Sequence, residues 1–197
     1  YASLRIPNFR WFTASLLTMN LATQLQGVVV AWQVYALTHD PLSLGLIGLA
    51  EAVPFIGLSL PAGHLADRMS RLRILRLSLT AQLAYAAALL VLTARPGMIH
   101  PGRVWPVYVI IFLSGIARSF LQPSRTALSA ELVPRALYPS AVAWRSSTWH
   151  LAAVLGPAVG GLVYGFSGAA AGYGLDVALM MSGVVAVAPI SHTRTPH

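Results

Sequence analysis

The sequence contains no lysine and no cysteine, and only five of its 197 residues are acidic. Without cysteine, disulfides, thiol nucleophiles and thiolate-held metals are excluded. Charged residues make up 9% of the chain, against roughly 25% in ordinary soluble domains, while 56% are hydrophobic. A water-facing surface cannot be assembled from so little charge, whereas a lipid-covered one needs little. The composition is that of a membrane-embedded protein. The formal net charge of +8 comes from arginine alone among the long basic residues. Those arginines fall between long apolar runs, so they read as topology determinants at a membrane surface rather than as nucleic-acid contacts. No phosphate-cradling glycine loop with a lysine occurs, and the histidines are scattered. We therefore expect no metal, nucleotide or redox cofactor.

A helix needs ~20 residues, at 1.5 Å each, to cross ~30 Å of hydrocarbon. Six segments qualify, at approximately 11–37, 43–65, 74–94, 106–130, 140–165 and 173–191. The breakers between them are His39-Asp40-Pro41, Arg95-Pro96-Gly97, His100-Pro101-Gly102, Val133-Pro134 and Gly165 to Gly168. Continuous runs of this length favour helices over the ~10-residue alternating strands of a barrel. The pattern thus predicts an all-α membrane protein, with one six-helix bundle over residues 1–191 and a tail at 192–197. The first run, Trp11 to Leu37, exceeds a signal-peptide core and lacks a small-x-small cleavage site. Because position 1 is tyrosine, the true start is expected upstream. With the amino terminus inside, Arg5, Arg10, Arg68, Arg71, Arg73, Arg76, Arg135 and Arg194 fall at cytoplasmic loops or helix ends. Only Arg95 and Arg103 fall on the other side, so both chain ends are expected in the cytosol. A short internal echo, Pro54-x-x-Gly57 and Pro157-x-x-Gly160, is separated by three helices, as in 3+3 inverted repeats.

Between the second and third segments the chain reads Gly63-His64-Leu65-Ala66-Asp67-Arg68-Met69-Ser70-Arg71-Leu72-Arg73. It sets one carboxylate among guanidiniums beside a helix amino terminus, where the dipole favours negative charge. Such a cluster is a candidate latch that holds one conformation and releases in another. The stretch resembles the G-x-L-A-D-R-x-G-R-R/K signature of the major facilitator superfamily, through Gly63, Leu65, Ala66, Asp67, Arg68 and Arg71. Ser70 stands where the family has glycine, and Leu72 where it has a basic residue. A generic positive-inside loop would explain the arginines but not Gly63 or Asp67. The fifth segment carries Gly156, Pro157, Gly160 and Gly161, which resemble the G-x-x-x-G-P-x-x-G-G motif of antiporting, exporting members. Ala152 replaces its first glycine. Mid-helix proline bends the axis, and spaced glycines open a smooth packing face. The stretch through Pro123, Arg125, Glu131, Val133 and Pro134 resembles drug and siderophore exporters of the same superfamily.

Polar residues within the segments are costly and mark pathways or partners. Arg118 lies near the midpoint of the fourth and resembles the arginine that the family links to proton coupling; a structural ion pair is the alternative. Glu51 is an intramembrane carboxylate and a candidate protonation site; a carboxyl paired with a polar neighbour is the alternative. Asn20 and Gln24, one turn apart, share a face; the resemblance implies that this helix lines the central path, which makes them candidate substrate-wall residues, with interhelical hydrogen bonding as the alternative. His150 is a second titratable candidate, otherwise a packing donor. Asp176 is expected at the outer end of the sixth segment, as an interfacial or capping residue.

The resemblance implies half of a twelve-helix transporter that exports a small amphipathic solute in exchange for protons by alternating access. The expected partners are the lipid bilayer, protons, the solute, and a carboxyl-terminal six-helix half or a second copy. The expected location is a bacterial inner membrane. A six-helix structural subunit without transport of its own is the alternative. An intramembrane serine protease is suggested only by Gly165-Phe166-Ser167-Gly168 and His192. Those two residues are expected on opposite membrane faces, beyond the ~3 Å a nucleophile and base require.

Overall fold

The computed structural model describes residues 2–68 and 70–190, and the side chains of residues 3–64 and 70–190. Every regular element among them is helical: α1 (Pro7–Thr38), α2 (Pro41–Gly57), α3 (Ser59–Arg68), α4 (Arg71–Ala94), α5 (Trp105–Glu131) and α6 (Tyr138–Val187). Short 3-10 turns at Ala2–Arg5 and Arg135–Leu137 precede α1 and α6. Proline at the start of α1 costs nothing, because its missing N–H would have been unpaired there. The helix ends where His39 turns left-handed, at φ 52°, and returns its N–H to the Tyr35 carbonyl at 2.8 Å. Asp40 then caps α2, its carboxylate accepting the Leu42 N–H at 3.0 Å.

Two junctions differ from the sequence expectation. The segment expected as one helix over 43–65 breaks at Leu58 into α2 and α3. Pro61 has no N–H for the carbonyl of Gly57, and its ring crowds that turn. Conversely, the expected connector around Gly165 to Gly168 is almost absent. The chain stays helical to residue 167, and Gly168 alone leaves the helix, at φ 77° and ψ 179°. That backbone conformation is open to glycine and strained for other residues. Ala169-Ala170-Ala171 then restart the helix at once, alanine being the strongest helix former. α6 is thus two limbs, 138–167 and 169–187, joined at one residue. Its 50 residues amount to ~75 Å of helix, enough to cross the hydrocarbon layer twice.

α1 lies in the fork between the two limbs. Gly156 and Gly160 of the first limb press on Leu21, Gln24 and Leu25; Gly172 and Gly183 of the second press on Val29 and on Ser15 and Thr18. The register makes the first limb parallel to α1 and the second antiparallel. Ser15 Oγ donates to the Gly183 carbonyl at 2.9 Å and fixes the second pairing. A separate layer forms around α5. It runs parallel to α2, where the Tyr108 hydroxyl donates to the Ser43 carbonyl at 3.2 Å, and antiparallel to α4, where Gln82 Nε2 donates to the Ser114 carbonyl at 3.4 Å. α4 joins the layers: Arg76 Nη2 donates to the carbonyls of Ala188 at 3.2 Å and Ile190 at 2.9 Å, just past the end of α6. A cation there complements the negative end of the helix dipole. α5, by contrast, touches α1 and α6 only sparsely, so a seam runs between the layers.

Four stretches, Pro7–Thr38, Arg71–Ala94, Trp105–Glu131 and Arg135–Val187, are long and apolar enough to cross a membrane, and Pro41–Gly57 is a shorter apolar helix. Large apolar side chains cover the outside, among them Leu60 at 86% exposure, Val154 at 70% and Phe166 at 87%. So apolar an exterior would aggregate in water and is matched by lipid.

Candidate functional site

At the seam, α1, α5 and the first limb of α6 enclose an open cavity of about 360 Å³. Helical spacing decides who faces it. α1 contributes Leu16 and Asn20, four apart; α5 contributes Gln122, Arg125 and Thr126; the limb contributes Val142, Arg145, Ser146 and Trp149 at spacings of three, one and three. A narrow cleft beside it is lined by Met19, Thr23, Gln82, Arg118 and Leu121, and shares Asn20, Gln122, Arg125 and Trp149 with the larger cavity. Residues 118, 122 and 125 lie on one face of α5, spaced four and three apart.

Two arginines of that face meet different partners. Arg118 Nη1 donates to Glu51 Oε1 and forms an ion pair between α5 and α2. The close approach is made possible by Gly115, whose missing side chain leaves room for the Glu51 carbonyl and the Pro54 ring. The two proton-coupling candidates therefore form one partly covered unit. Arg125 is buried, with 9% of its surface exposed. Its Nη1 reaches Asn20 Oδ1 at 3.5 Å and its Nη2 the Met19 thioether sulfur at 2.8 Å, while Nε has no protein partner. Thioether sulfur is a weak acceptor, so this guanidinium is poorly satisfied.

A family model described as "Transmembrane secretion effector" matches residues 1–196. The chain belongs to that family of the major facilitator superfamily. A staphyloferrin A transporter of Staphylococcus aureus (strain NCTC 8325 / PS 47) is 27% identical over 157 residues, which cover 78% of this chain and 38% of that protein. An uncharacterised transporter of the same superfamily, YfiS of Bacillus subtilis (strain 168), is 30% identical over 140 residues, covering 71% of this chain and 31% of its own length. The chain matches well under half the length of either relative. Its family and its apolar helices make it an integral membrane protein.

Within this major facilitator chain, the other sequence candidates separate. Asn20 lies on the cavity wall, whereas Gln24 packs beside Gly156 and is not among the residues lining the cavity. Gly156 and Gly160 face α1, with Pro157 between them inside α6, and Gly161 has nothing within 4 Å of where a side chain would begin. In the loop signature, Gly63 likewise faces open space, and the side chains of Asp67 and Arg68 lie outside the described residues. Arg71 instead donates to Glu131 at 2.6 Å, tying the start of α4 to the end of α5. Both partners are more than a third exposed, and such surface pairs contribute only ~0–1 kcal/mol. That contact is easily broken. His150 is exposed. Ser167 ends the first limb beside Gly168, while Arg194 and His192 lie outside the described residues.

Asp176 requires a correction. It does not cap a helix: it is fully buried on the second limb, and neither carboxylate oxygen has a hydrogen-bond partner. The helix restarts at residue 169, not 173, so Asp176 lies two turns inside it. A buried charge without a partner is strongly unfavourable. Asp176→Asn, which keeps the shape and removes the ionisable group, is therefore expected to leave the melting temperature of the purified protein unchanged or raised. A clear fall would reveal a stabilising partner for the carboxylate.

Proposed function

We propose that this chain forms half of a secondary active exporter, and that the cavity at the seam is one wall of its solute path. In this arrangement the chain crosses a bacterial inner membrane six times, through α1, the broken α2–α3 pair, α4, α5 and the two limbs of α6, 138–167 and 169–187. Both its ends are cytosolic, following the arginine distribution. A second six-helix half, or a second copy, supplies the opposite wall, and the two halves rock about a site near mid-membrane. The observation that carries this reading is the cavity itself. It is polar and arginine-lined, lies in an apolar helical protein of a transporter superfamily, and sits where the helix layers touch least.

The solute is small and amphipathic, because Leu16, Val142 and Trp149 give the wall apolar surface beside Asn20 and Gln122. One relative is a staphyloferrin A transporter, which supports transport of a small molecule of that kind; the outward direction rests on the resemblance of the Gly156–Gly161 motif to that of exporting members. Protons drive the exchange through the Glu51–Arg118 pair: protonating Glu51 releases Arg118 and shifts the balance between inward- and outward-open states. The Gly63–Arg71 loop, with Asp67 and Arg68, latches one of those states. Dye efflux from vesicles carrying the complete gene product tests the proposal. Efflux is expected to stop when the pH gradient is collapsed, and to slow severalfold in Asp67→Asn. Efflux indifferent to both would overturn the proton-coupled scheme, and no efflux at all would favour a structural subunit.

A further inference from the structure

The cavity has an unbalanced charge. Arg125 and Arg145 both line it, and Arg118 lines the adjoining cleft. Glu51 answers Arg118. Neither of the other two arginines is in an ion pair among the described residues. The other carboxylates among the described side chains are engaged or distant: Asp40 caps α2, Glu131 binds Arg71, and Asp176 is enclosed on the second limb. Arg125 is the sharper case. It is buried, it donates only to an amide oxygen at the limit of hydrogen bonding and to a sulfur, and its Nε is unused.

A guanidinium presents five donors in a planar fork that matches the two oxygens of a carboxylate or phosphate. A fork buried at a cavity wall without its anion is a half-made site. Arg145 brings a second cation from another helix, so the two can hold one anionic group between α5 and the α6 limb. Trp149, one turn beyond Arg145, adds an aromatic surface for the apolar part of the same molecule.

We propose that Arg125 and Arg145 bind the anionic group, a carboxylate or phosphate, of a small amphipathic solute. This names the substrate class for the transport reading above and rests on it for the passage of the solute, though not for binding.

The test uses the complete gene product in detergent and four ring-matched probes: 2-naphthoate, 2-naphthyl phosphate, 2-naphthalenemethanol and 2-naphthylmethylammonium. The two anions are expected to raise the melting temperature in a saturable way, and the alcohol and the amine are not. Arg125→Gln and Arg145→Gln are each expected to weaken anion binding about tenfold or more, the worth of a charge-assisted hydrogen bond. Arg125→Lys should retain part of it. Arg145 is only partly covered at the cavity's edge, so its substitution is expected to be tolerated and decides the matter if Arg125→Gln does not fold. Equal response to all four probes, or anion binding untouched in Arg145→Gln, overturns the proposal. Nanodiscs with phosphatidylglycerol or phosphatidylcholine separate the sources. Competition by the anionic lipid alone, lost in the same variants, would assign the arginines to a headgroup and overturn the solute. Dye efflux without anion binding defeats this inference alone, and anion binding without efflux defeats only the transport reading.

Discussion

Gly156→Ile is expected to prevent the protein from accumulating in a folded form, whereas Gly161→Ala should fold as well as the parent. The two glycines lie in one motif, five residues apart, and differ in what they face. A side-chain carbon at 156 would begin 2.5 Å from the Gln24 Cβ and 3.2 Å from the backbone of Leu21 and Leu25. Those are main-chain and branch-point atoms of α1, which cannot swing aside. Accommodating isoleucine requires α1 to leave the limb, although the second limb holds it on a neighbouring side through Gly172 and Gly183. Overpacking usually costs ~1–3 kcal/mol when neighbours can adjust. With α1 held on two adjacent sides, the penalty should lie near the top of that range, a large part of a typical 5–15 kcal/mol stability. Gly161 has nothing within 4 Å, and alanine there gains helix propensity. Fluorescence-detected size exclusion after a temperature series distinguishes the variants. A monodisperse Gly156→Ile protein that melts with the parent would show that the close approach of α1 and α6 is not needed for folding.

The second large effect concerns Glu51 and Arg118. Replacing either by glutamine leaves the other as an unpaired charge within the proposed membrane-spanning region. An unpaired arginine in an apolar layer costs ~2.5–3.5 kcal/mol on insertion scales, an upper figure here because the two side chains keep 28% and 36% of their surface exposed. Each single variant should therefore melt well below the parent. The double variant Glu51→Gln/Arg118→Gln should recover much of the loss, because two amides can hydrogen-bond across the same gap. The cycle yields a coupling energy directly. Additive losses would mean that the two side chains do not interact, and the proton switch proposed for them would go with that result. The double variant also separates stability from coupling: it is expected to fold yet to lose dependence on the pH gradient.

Much of the helical plan was legible because apolar run length is a strong signal in a membrane protein. α4 and α5 begin and end within a few residues of the segments expected at 74–94 and 106–130. What escaped were single-residue events. Pro61 breaks the second segment from four residues downstream. Gly168 performs by one backbone angle what the sequence suggested would take a loop. The second error propagated: a longer loop shifts the start of the last helix and moves Asp176 from its buried position to an apparent surface. The cavity was partly legible. Asn20 was found from an amide pair on one turn, but nothing in its spacing revealed that Gln24 turns toward Gly156. Arg125 and Arg145 were missed as a pair because they meet only in three dimensions. A local sign did exist, since Arg125 lies seven residues after Arg118 and returns to the same helical face. The Pro-x-x-Gly echo also proved uneven in its surroundings, since Gly160 is packed on Leu25 while Gly57 is open.

The forked grip of α6 on α1 limits how this protein can change shape. Three rods locked through bare backbone slide past one another only by unseating, so they travel as a single block. The helices around α5 form a second block, held to the first mainly through α4. Any opening stroke is then borne by that hinge piece and by the fragile Arg71–Glu131 tie, and the arginine-lined hollow between the blocks widens or narrows with it.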